Sequence, residues 1–163
     1  MNGKELSNFI FKKLRQKIEN HKGLQIFIKE RAKFEGWLKV ELCDILSEKY
    51  HDIVPEKNRT DIVFSKYAIE LKTINTNYRH KGVKNKIRPI AKNIQGIIDD
   101  INKLKKSTYE NKIVLFIVFP IGKKDGKKWQ IHLNKINCKL SNMRSQSINF
   151  SKNIPGIIYL GTI

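Results

Sequence analysis

Cysteine is nearly absent from this chain. Only Cys43 and Cys138 occur, far apart and without CxxC spacing, so neither a disulfide framework nor a thiolate zinc cluster is supported. The four histidines, His21, His51, His80 and His132, also lack ligand spacing. Long hydrophobic runs are missing too. The longest, Ile113 to Phe119, is too short to span a bilayer, and Met-Asn-Gly-Lys-Glu-Leu-Ser at the start carries no apolar signal region. The expectation is a cytoplasmic protein with no membrane contact. Acids are scarce: 15 Asp and Glu stand against 33 Lys and Arg, giving a formal net charge of +18 and a pI near 10.0. Such an excess calls for an anionic partner, with nucleic acid the first candidate. Lysine far outnumbers arginine, which favours contact to a phosphate backbone through point charges over bidentate reading of bases. No internal repeat or low-complexity linker interrupts the 163 residues, a length that fits one domain with a proper core.

What is present is hydrophobic patterning. Leu6, Phe9, Ile10, Leu14 and Ile18 recur at helical spacing and predict an amphipathic helix over 4–20, ended by His21-Lys-Gly23. A longer helix is predicted from about Gln25 to Tyr50, with Phe34, Trp37, Leu38, Leu42, Ile45 and Leu46 on one face. Ile53 to Pro55 reads as a short strand, followed by strands holding Asp61 and Glu70 to Lys72. Residues 75–89 form a basic loop. After Pro89 a helix carries Ile90, Ile94, Ile97, Ile98, Ile101 and Leu104 along one side. Lys112 to Phe119 has the near-continuous apolar character of a strand buried on both faces. Gly122 to Gly126 reads as a turn, Trp129 to Leu133 as a returning strand, and Gly156 to Ile163 as a closing strand, while the polar residues 141–153 fit no element clearly. This order predicts an α/β sandwich around a mixed sheet.

The most informative residues are Asp61, Glu70 and Lys72. Two strands turning at Ser65-Lys66 would pair 64 with 67, 63 with 68, 62 with 69 and 61 with 70. Directly opposed residues have Cβ atoms about 4.5–5.5 Å apart, and like charges there repel unless something neutralises them. Lys72, two residues beyond Glu70, points to the same face. The opposite face, with Ile62, Phe64, Tyr67, Ile69 and Leu71, is wholly apolar, and the trio's own face includes Val63 and Ala68. Both faces therefore look covered. Two acids and an ammonium in a sheet interior point to a magnesium site with a catalytic lysine; the alternative is a surface hairpin with an ordinary Glu–Lys pair.

A helix bearing an acid, a strand bearing Asp61, a strand bearing Glu70-Leu-Lys72, a helix with a polar inner residue and a buried strand follow in order over residues 30–120. This stretch resembles the PD-(D/E)XK, or restriction-endonuclease-like, nuclease superfamily, departing from its name pattern in having Thr60 where a proline often precedes the aspartate. The resemblance implies a three-layer α/β/α sandwich with a mixed central β-sheet. It implies a single nuclease domain over 1–163, with 30–120 as catalytic core and the 1–22 helix peripheral. It implies a Mg²⁺-dependent endonuclease acting on DNA phosphodiesters, with Mn²⁺ able to substitute. Asp61, Glu70 and the Leu71 carbonyl would bind the metal, and Lys72 would orient or deprotonate the attacking water. A further acid comes from the preceding helix: Glu41, near the middle of its apolar stripe, is preferred, with Glu35 second. Gln95, with Lys92 three residues earlier, would aid the site or else face solvent.

Tyr78, Arg79, Lys81, Lys84, Lys86 and Arg88 in the basic loop could straddle a nucleic-acid backbone, with Lys57 and Arg59 on the approach side. The expected partner is double-stranded DNA, with a homodimer supplying two sites and the first helix as its contact surface. Two rivals stand beside this reading: a catalytically silent nucleic-acid-binding module of the same fold, and a nuclease acting on RNA or only within a larger assembly.

Overall fold

The computed structural model describes residues 1–87, 89–151 and 154–163; Arg88, expected among the phosphate contacts, lies outside them. Helix α1 spans Gly3–Asn20, opened by an Asn2–Glu5 capping box. Helix α2 spans Lys22–Lys29, and its N-cap is His21, whose ring accepts from the Leu24 N–H at 3.0 Å. Helix α3 spans Glu35–Ser47. Strands β1 (Val54–Pro55), β2 (Ile62–Phe64) and β3 (Tyr67–Asn75) follow, then α4 (Ile90–Lys106) and β4 (Asn111–Phe119). Helix α5 (Gly126–Asn137) leads to β5 (Asn142–Ser151) and β6 (Ile154–Thr162).

The six strands form one mixed sheet in the order β1-β2-β3-β4-β6-β5, with β3 and β4 parallel and every other pair antiparallel. Helices cover both faces. Alternate residues of β4 divide the interior: Ile113, Leu115, Ile117 and Phe119 join the core under α1, α2 and α3, while Val114, Phe116 and Val118 join the core under α4 and α5. Burial on both sides explains the unbroken apolar run of β4. Among the described residues no helix is long and apolar enough to cross a membrane.

Four expectations change. The helix predicted from Gln25 to Tyr50 is two helices, broken where Arg31 takes a left-handed φ of 52°. No glycine or proline marks this break; its cause is tertiary. Arg31 is fully buried and donates to the carbonyls of Thr76, Tyr78 and Lys84, pinning both arms of the basic loop to the end of α2. Trp129 to Leu133 belongs to α5, because Trp129, Leu133 and Ile136 at helical spacing are the buried residues while Ile131 is exposed. The polar stretch after 141 is β5, an edge strand whose Ile148 and Phe150 face the core. Nor is α1 peripheral: Leu6, Ile10, Phe11, Leu14 and Ile18 are buried in the core against α3 and β5, so the apolar face expected to meet a second copy is already covered.

Replacing Arg31 with methionine keeps most of the volume but leaves three carbonyls without their charged donor. The cost is expected to be on the order of 3 kcal/mol. Chemical denaturation should show it, and limited proteolysis should cut first within 76–87.

Candidate active site

The hairpin forms in the expected register, with Phe64 opposite Tyr67, Val63 opposite Ala68 and Ile62 opposite Ile69. There β2 begins, and the rest of β3 runs on without that neighbour. Residues 69, 71 and 73 turn their backbone groups toward the β2 side, so the amides of Leu71 and Thr73 need other partners. Two carboxylates supply them. Asp61 Oδ2 accepts from the Leu71 N–H at 2.8 Å, and Glu35 Oε2, from the first turn of α3, accepts from the Thr73 N–H at 3.0 Å. The Leu71 carbonyl leaves the strand on the same side as its N–H, toward the same open edge.

Glu70 and Lys72 project to the α4 face. The Glu70 side chain is 4% exposed and its Oε1 lies 2.5 Å from Lys103 Nζ. Lys72 Nζ lies 3.0 Å from Asp100 Oδ2 and 3.9 Å from Glu35 Oε1. Asp61 Oδ1 meets Lys39 Nζ at 2.8 Å, and that ammonium also meets Glu56 at 2.9 Å. Glu35, Asp61, Glu70 and Asp100 thus share one half-buried patch with three lysines, while Glu56 lies exposed at its rim.

Their protonation follows from this packing. Burial pushes the Glu70 carboxyl up, Lys103 offsets only part of that, and the nearby Asp61 and Asp100 charges raise it further, to about 7. Burial also opposes the Asp61 charge, but Lys39, the Leu71 amide and the neighbouring Glu70 carboxyl outweigh it and hold Asp61 below the ordinary carboxylate value. For Lys72 burial favours the neutral amine, yet Asp100 and Glu35 prevail and keep it above the ordinary lysine value. The group is an ammonium at neutral pH. Two adjacent carboxyls driven to opposite sides of the ordinary value make this patch a candidate site.

Of the residues proposed from sequence, Asp61, Glu70, Leu71 and Lys72 are brought together. Glu35, the second choice, is the helix acid that joins them. Glu41, the first choice, sits about 120° round α3 from Glu35 and pairs with Lys17 of α1 at 2.8 Å; the expensive unpaired acid it would have been is neutralised on the far side. Gln95 is exposed and donates to Asp99. One residue further on, Gly96 faces the site instead, and a Cβ there would come within 3.6 Å of the Lys72 side chain.

In the basic loop, Lys84 pairs with Glu30 at 2.6 Å and Lys86 donates to the Glu30 carbonyl. Both are tied to α2. The Tyr78 ring is half-buried against the α4–α5 core. Lys57, Arg59, Arg79, Lys81 and Lys92 are exposed.

Three members were missed: Lys39, Asp100 and Lys103. Helical spacing carried a signal for each. Lys39 is four residues after Glu35, and Gly96, Asp100 and Lys103 form one polar stripe beside the Ile94, Ile97, Ile101 and Leu104 stripe of α4. Among the described residues no three His, Cys, Asp or Glu side chains already converge as a metal cage. The available oxygens are those of Asp61, Glu70 and the Leu71 carbonyl, a sparse set of the kind that suits Mg²⁺, which keeps several waters. No family model matches this chain, and no curated protein and no solved structure matches it either.

Glu70 gives a pH signature. Between the ordinary value of 4.5 and about 7 the folded chain holds a proton that the unfolded chain has released. Stability from this group therefore falls as pH rises through that window and stays lost above it. Glu70→Gln should melt higher than the wild type at about pH 8, with the difference closing as pH drops below about 5. Paired thermal melts across that range would show it; a constant difference would refute the assignment.

Proposed function

We propose that this chain is a Mg²⁺-dependent endonuclease of PD-(D/E)XK type, hydrolysing phosphodiester bonds of double-stranded DNA through Glu35, Asp61, Glu70 and Lys72. One observation carries the reading: half-buried Asp61 and buried Glu70 stand side by side next to the Lys72 ammonium, at a strand edge whose amides fix Asp61 and Glu35. Asp61 and Glu70, with the Leu71 carbonyl, would hold the ion. When bound, Mg²⁺ (or Mn²⁺ in its place) would polarise the phosphoryl oxygens, lower the pKa of a nearby water and stabilise the leaving 3′ oxygen.

The chain's own side chains divide the remaining work. Lys72, kept cationic by Asp100 and Glu35, is unsuited to take a proton and suited to stabilise negative charge gathering on the phosphoryl group. The proton of the attacking water then passes to a carboxylate. Glu35 is placed for this: one of its oxygens is fixed by the Thr73 amide, and the other, near Lys72, accepts. A P–O bond to water forms, the P–O3′ bond breaks, the departing 3′ oxygen takes a proton from solvent, and the products are a 5′ phosphate and a 3′ hydroxyl. Lys39 and Lys103 pair with Asp61 and Glu70, and a bound dication would take over that neutralising role. Their flexible stems would then let both ammonium groups turn to substrate phosphates, beside exposed Lys57 and Arg59.

The same two ion pairs favour a second reading, a catalytically silent nucleic-acid-binding module whose acids are permanently satisfied by lysine. Plasmid nicking separates the two. The nuclease reading expects scission with Mg²⁺ or Mn²⁺, none with chelator, and a loss of at least about 100-fold in Lys72→Ala. Glu35→Gln should lose a similar amount, while Glu41→Gln, remote from the site, should keep activity within about threefold. Retarded migration without scission under every condition supports the silent module. Scission that survives chelation overturns the mechanism.

A further inference from the structure

A second polar cleft, which the acid site does not use, opens where the loop after β3 meets the first turns of α5. Its volume is about 680 Å³, within the range of ligand-binding pockets. Arg79 lines it from the loop, and Lys124, Lys128 and His132 line it from one stripe at four-residue spacing. The sole acid in the lining is Asp125, whose Oδ2 accepts from the Gly122 N–H at 2.9 Å.

These cations differ from the lysines at the acid site. Lys39, Lys72 and Lys103 each face a carboxylate. Among the described residues no ion pair holds Arg79, Lys124 or Lys128, and all three are exposed. Like charges gathered in a concave surface without counter-ions raise the local potential and attract anions. Ile90 and Ile131, the latter 64% exposed, give the same cleft an apolar wall. Unneutralised cations beside exposed apolar carbon match the alternation of phosphate and sugar along a nucleic-acid strand.

Helix α4 links the two sites. Ile90, at its start, lines the cleft, and Asp100 meets the catalytic lysine ten residues later. At 1.5 Å per residue that separation is about 15 Å along the helix, or roughly four steps of a duplex at 3.4 Å each.

We propose that this cleft holds the phosphate backbone of DNA a few nucleotides from the bond placed at Glu70 and Lys72. The inference rests on the proposed function for the identity of the polyanion and for the bond held at the acid site, while the cleft's own binding role is tested apart from it. Binding is measured without catalysis, by titrating a short duplex in chelator over a series of salt concentrations. The K124E/K128E double variant should lower the salt slope of log K by about 2 and weaken binding at physiological salt at least about tenfold. A control with the same net charge, K4E/K12E on α1, should leave the slope within about half a unit of the wild type. Thermal melts establish that both variants fold, and Arg79→Ala should lower the slope by about 1.

Equal slopes for the two double variants would overturn the proposal. A chain that binds through the cleft but cuts nothing would defeat the nuclease reading and leave the cleft standing as a backbone-binding site. One that cuts DNA while remaining indifferent to K124E/K128E would do the reverse.

Discussion

On one side β3 is paired along its whole length by β4; on the other, β2 covers only Tyr67 to Ile69. The amides of Leu71 and Thr73, both buried residues, would otherwise lack partners, at a cost comparable to a lost hydrogen bond each. Asp61 and Glu35 meet that demand from two different elements, the segment entering β2 and the first turn of α3. Each then presents its second oxygen outward, where Glu70 and Lys72 emerge from the same strand. An interrupted ladder thus gathers the acid cluster without any loop devoted to it, and rigid strand and helix ends hold it in place.

The cluster is costly to keep. Burial drives Glu70 toward its neutral form while Lys39 holds Asp61 ionised, and three lysines are needed to settle four acids. An arrangement optimised for stability would replace such charges with apolar side chains of similar volume. Retaining them, beside the apolar run of β4 from Ile113 to Phe119, is consistent with the metal-binding role proposed for the cluster.

The fold also sorts the positive charge, which composition alone presents as uniform. Some cations are structural: buried Arg31 binds the basic loop to α2, Lys84 and Lys86 anchor to Glu30, and Lys17 neutralises Glu41. Others remain uncommitted, along Lys57 and Arg59 near the acids and in the cleft formed with α5. The second group, exposed and outside any ion pair among the described residues, is the part of the charge to which the proposed roles are assigned.

Much was legible from residues alone. Periodicity located α1, α4, β4 and β6, and the two-residue turn at Ser65-Lys66 set the register that brings Asp61 beside Glu70, because side chains in a strand alternate with a period of two. Short apolar runs without sustained periodicity misled, as at Trp129, and so did the helix break at Arg31, whose cause is a loop some 50 residues distant in the chain. The choice between Glu41 and Glu35 lay beyond reach for the same reason. Local pattern determines which residues share a face of their own element; which face meets which neighbour, and hence which acid finds Lys72 and which finds Lys17, is decided only when the elements pack.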